Sequence, residues 1–69
     1  MTWSPEELDR LERAIVDGDR VRLVRRGTEF VVVPREIRPE GGGDVLFATT
    51  TQGERTFALD EIEEFEVLR

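Results

Sequence analysis

The stretch FALDEIEEFEVL, residues 57–68, sets Phe57, Leu59, Ile62, Phe65 and Val67 among five acids, Asp60, Glu61, Glu63, Glu64 and Glu66. Phe57 and Leu59 stand two apart, as do Phe65 and Val67, which is the period of strands with one buried face. Between them DEI is too short for a helix and reads as a single tight turn with Asp60 as its cap. The spacing predicts strands over about 54–59 and 64–68, with Ile62 plugging the turn and the acids facing solvent. Alternation explains where the acids stand. It does not explain why all five are acids and none is Thr, Ser or Lys.

Upstream the chain continues in short apolar runs punctuated by turns. DRVRLVRR alternates through Arg20, Val21, Arg22 and Leu23, predicting a strand over about 19–26 closed by the turn RGTE. EFVVVPREIRPE starts as a continuous apolar run and then meets Pro34, which cannot donate to a ladder and so marks an edge, bulge or bend. It is read as one long bent strand over about 29–38. Gly41, Gly42 and Gly43 form the next hairpin loop, followed by a strand over about 44–50 and the turn TQGE.

The first residues follow a helical rule instead. Ser4, Pro5 and Glu7 make a capping box with proline at the first helical position, where its missing N–H goes unneeded. Trp3 and Leu8 have the spacing of a hydrophobic staple, and Leu8, Leu11 and Ile15 form one apolar stripe. Gly18 supplies the stop. A helix over about 5–16 results, with Trp3 as a packing residue. One helix and then five short strands, the last after a one-turn connection, is the order of a mainly β, five-stranded SH3-like or Sm-like barrel. A closed sheet also removes exposed edges.

With 69 residues, no Cys and no His, the chain is expected to be one domain stabilised by packing alone or by an oligomer. No run approaches a membrane span, and MTWSPEELDR is acidic without an apolar core, so a cytoplasmic address is expected. Sixteen acids face ten cations, all of them Arg, for a net charge of −6. That balance argues against generic phosphate binding. Charge is segregated: residues 1–20 carry −3, residues 21–39 carry +3 and residues 40–69 carry −6.

Chemistry finds little support. Thr49, Thr50 and Thr51 have no His or Lys base, and clustered carboxylates at a strand end stay solvated. The acids Asp60, Glu61, Glu63 and Glu64 fit no dedicated cation loop, and no Gly-Lys-Ser/Thr follows the glycines. No enzyme activity, cofactor or metal is expected.

The run QGERTFALDEIEEF resembles the end of two families of small barrels. It is similar to the Rho-inhibitor antitermination proteins at Gly53, Glu54, Arg55, Leu59, Asp60, Ile62 and Phe65, with Leu11, Glu12 and Ala14 and the strand VRLVRRG in step. It resembles WYL domains at Arg55, Phe57, Leu59, Asp60 and Ile62, at RVRL and at the Val33–Pro34 step. The first resemblance implies transcription regulation by an acidic barrel docked on the RNA-binding surface of a termination factor. The second implies ligand or nucleic-acid sensing, although Ala58 and Glu61 stand where a WYL domain carries its ligand-facing arginines, and DVLFA replaces the Trp-Tyr-Leu triplet.

The residues thus nominate a non-enzymatic binding or regulatory module. Its leading site is an acidic surface of Asp60, Glu61, Glu63, Glu64 and Glu66, presented by Glu54 and Arg55 to a basic protein. The alternative is a nucleic-acid or ligand site on Arg20, Arg22, Arg25, Arg26, Arg35 and Arg38, which needs convergence on one face with an aromatic among them. Alternation puts Arg20 and Arg22 on one side of their strand and Arg25 on the other. A homo-oligomer paired edge to edge is a third reading.

Overall fold

The computed structural model describes residues 2–69, with the order α1 (Pro5–Asp17), β1 (Arg20–Arg25), β2 (Thr28–Glu40), β3 (Gly43–Thr50), β4 (Gly53–Ala58), a 3-10 turn (Leu59–Glu61) and β5 (Ile62–Leu68). The helix begins where its first amides find acceptors. Ser4 Oγ accepts from the Glu7 amide and Glu7 Oε1 accepts from the Ser4 amide, both at 3.1 Å. It ends at Gly18, whose left-handed backbone (φ 71°) lets its N–H reach Ala14 O. Leu11 and Ala14 are fully buried, and the helix packs on β2 and β5. No helix among the described residues is long and apolar enough to cross a membrane.

The five strands form one antiparallel sheet in the order β4-β3-β2-β1-β5. Two hairpins fix its register. Arg26 (φ 51°) and Gly27 (φ 75°) both turn left-handed, giving a two-residue loop that sets Arg25 against Thr28. Gly41 (φ 60°) and Gly42 (φ 83°) do the same for β2 and β3, so Gly43 begins β3 instead of closing the loop. Strand β2 serves both halves of the sheet: Thr28–Val32 pairs with β1 and Val33–Glu40 with β3. The register slips by one residue between Pro34 and Glu36, which bends the strand at the proline.

Alternation then delivers one buried face. Val21 and Leu23 of β1, Val32 of β2, Leu46 and Ala48 of β3, Phe57 of β4 and Ile62 of β5 meet Leu11 and Leu59 in a single core. No polar side chain is buried among the described residues. Burying a ring or branched chain of this size stabilises by about 1.5–3 kcal/mol each, so this core carries most of the fold.

Two expectations change. The barrel does not close, because β4 pairs only with β3 and β5 only with β1, leaving an open sheet with two edges. Side chains span the seam where no ladder forms. Trp3 Nε1 donates to Leu59 O at 2.8 Å while its ring packs on Phe65 at 5.2 Å, and Arg25 Nη1 donates to Thr56 O at 3.3 Å. Asp60 does not cap the turn before β5: the capping position is Ala58, with no side-chain bond, and the turn closes on its own backbone through the Ile62 amide and Leu59 O.

Candidate functional site

The acids of residues 57–68 face solvent between buried Phe57, Leu59 and Ile62; two of them hold the β1–β2 turn and a third meets β1. Glu61 pairs with Arg26 at 3.1 Å, Glu63 Oε1 accepts from the Gly27 amide at 3.0 Å, and Glu64 lies 3.6 Å from Arg22 Nη1. Arg26 is the one non-glycine residue with positive φ among those described, a conformation that costs about 1 kcal/mol, so these contacts sit where the backbone needs them. Asp60 and Glu66 are exposed, with no ion pair or side-chain hydrogen bond among the described residues. Glu54 is on β4, at the opposite edge of the sheet from Glu63, Glu64 and Glu66, and its charge reaches Arg38. Glu54 and Arg55 thus lie on a different strand from Glu63, Glu64 and Glu66.

The six arginines of the alternative are also dispersed. Arg22 bonds Glu29 through Nε at 2.6 Å as well as facing Glu64, and the Glu29 bond holds its pKa above the ordinary guanidinium value. Arg35 donates to Thr49 Oγ1 at 3.0 Å. Arg38 pairs with Glu36 and lies 4.2 Å over the Phe47 ring; the same pairing pulls the Glu36 carboxyl below its usual range. Arg20 is exposed at the start of β1.

Arg25 differs from all of these. It continues the inward series Val21, Leu23, and the β1–β2 register makes it the diagonal neighbour of Phe30 on that face. Its guanidinium lies 5.2 Å from the Phe30 ring centre and 4.8 Å from that of Phe57. Phe30 and Phe57 are themselves edge to face at 5.2 Å. From β4, Arg55 places its guanidinium 5.4 Å over the same Phe30 ring. Neither cation has a carboxylate within ion-pair distance among the described residues. An open recess of about 220 Å³ lies beside Phe30 and Arg55, lined also by Glu29, Val31, Thr50, Thr51 and Gln52. The loop side of this recess is ordered by Thr50 Oγ1, which donates to Gly53 O at 2.8 Å and accepts from the Gln52 amide at 3.0 Å.

This mouth joins one arginine from each nominated set to two phenylalanines that neither set contained. The signal was present in the two-residue spacing of Arg55 and Phe57 and in the Arg26–Gly27 loop, which fixes Phe30 beside Arg25.

No family model and no curated protein matches the chain. Among solved structures the fold is similar to proteasome accessory factor B/C (PafBC) of Arthrobacter aurescens, with a TM-score of 0.79 and 24% identity. The likeness covers 97% of this chain and 12% of that one, so the chain spans about an eighth of the protein it matches. It is a likeness of fold, and on that level it supports the WYL-like resemblance; the Rho-inhibitor resemblance is not shown by it.

Proposed function

We propose that the chain is a non-enzymatic binding and regulatory module whose binding end is the arginine–aromatic mouth, taking the anionic group of a ligand or nucleic acid. The observation that carries this is the placement of Arg25 and Arg55 over one ring with no carboxylate to neutralise either. Guanidinium groups stacked on aromatic faces keep their in-plane N–H donors for an oxyanion, a geometry lysine does not offer. The WYL-like resemblance bears on the fold alone, since Ala58 and Glu61 stand where a WYL domain carries its ligand-facing arginines.

A second reading keeps the acidic surface, because exposed Asp60 and Glu66 carry no ion-pair partner among the described residues. The two separate in one experiment. The native chain, Arg55→Glu and the double variant Asp60→Lys/Glu66→Lys are titrated with a short single-stranded oligonucleotide and with an arginine-rich peptide. Under the first reading the oligonucleotide binds, weakens as salt rises, and is lost in Arg55→Glu. Peptide binding that disappears in the double variant, with no oligonucleotide binding, would replace it by the second.

A further inference from the structure

Strand β4 is the loose end of this fold. It pairs with β3 alone, its first four residues are exposed, and on its open side the Thr56 carbonyl is held by a side chain, Arg25, at 3.3 Å. Arg25 belongs to β1, across the seam, and Arg55 belongs to β4 itself. The two guanidiniums share Phe30, at 5.2 and 5.4 Å from its ring centre. Each offers five N–H donors in a planar fork, of which, among the described residues, Arg25 uses one and Arg55 none.

We infer that an oxyanion taken at the mouth is gripped by both forks and ties β1 to β4, so that occupancy of the site and order of the edge strand are one equilibrium. This rests on the mouth being an anion site. A tetrahedral oxyanion has lone pairs for two forks, and its negative charge attracts both guanidiniums. The bond that joins the two ends of the open sheet is then supplied by the ligand. Linkage makes the effect reciprocal: whatever holds β4 in place tightens binding. The other clasp, Trp3 Nε1 on Leu59 O, spans the seam without touching the mouth and serves as the control.

The test is amide hydrogen exchange over residues 53–58 of the full chain, with and without inorganic phosphate, for the native protein, Arg55→Gln and Trp3→Phe, while arginine Nε–H shifts report binding. With phosphate at about ten times its dissociation constant, exchange in β4 is expected to slow about tenfold in the native chain and in Trp3→Phe. In Arg55→Gln, an exposed change that leaves the core intact, phosphate is expected to leave β4 exchange unaltered. Phosphate that binds the native chain without slowing β4 overturns the coupling and leaves the site standing. Phosphate that fails to bind overturns both.

Discussion

Along β5 and its preceding turn, carboxylates outnumber cations, yet Glu61, Glu63 and Glu64 each meet a donor from the β1–β2 hairpin. At the mouth, in a chain whose net charge is −6, Arg25 and Arg55 meet ring faces and one carbonyl instead of acids. Formal charge and available charge run in opposite directions in the two regions. The acid-rich edge uses much of its charge to hold a strained turn, and the mouth of an acidic protein keeps two cations in reserve. Counting residues points to one end of the molecule, and partner geometry, on which the proposed mouth rests, points to the other.

The strongest way to break this contrast is at Phe57, which lies in the core and under Arg25 at once. Phe57→Ala is expected to lose about 3–5 kcal/mol in urea unfolding. A loss under about 1 kcal/mol would mean that the ring is not the platform described.

Next is a comparison of two arginines three residues apart. Arg25→Gln removes contacts with two rings and the Thr56 carbonyl and is expected to cost about 1–2 kcal/mol, insensitive to salt. Arg22→Gln removes exposed ion pairs and is expected to cost less, with an effect that fades toward 1 M salt as screening shortens to about 3 Å. Equal costs, or a salt-sensitive Arg25, would erase the distinction between the regions.

The fold was legible in the sequence where a rule is local. Ser4, Pro5 and Glu7 announced the helix start, Gly18 its end, and the alternation of Phe57 with Leu59 and of Phe65 with Val67 gave the last two strands. What escaped depends on contacts between residues far apart in the chain. Closure was expected from strand order, but it requires β4 to meet β5, and the Trp3 and Arg25 bonds that bridge the seam span 56 and 31 residues. The contacts of the nominated acids were hidden for the same reason. Glu63 looks free in the sequence because its partner is a backbone amide at Gly27, which no side-chain pattern displays.

A smaller effect sharpens that point. Glu63→Ala returns the Gly27 amide to water and is expected to cost about 0.5 kcal/mol and to speed exchange of that amide. A measured effect of zero would return Glu63 to the pool of free surface acids.

The smallest is a pH effect at Glu36. Its bond from Arg38 lowers the folded-state pKa below the unfolded value, so its contribution is present above the ordinary carboxylate range and is lost as pH falls through the folded value. Glu36→Gln is expected to flatten the acid limb of the stability profile slightly and to leave neutral-pH phosphate binding unchanged.

The most direct measurement is a titration of the isotope-labelled chain with inorganic phosphate, following the Nε–H resonances of its arginines. The expected result is saturable movement of Arg25 and Arg55 with Arg22 and Arg26 still, since those two are held by Glu29, Glu64 and Glu61. Movement of Arg22 and Arg26 while Arg25 and Arg55 stay fixed, or uniform drift of all arginines without saturation, would contradict the assignment of the mouth as the binding end.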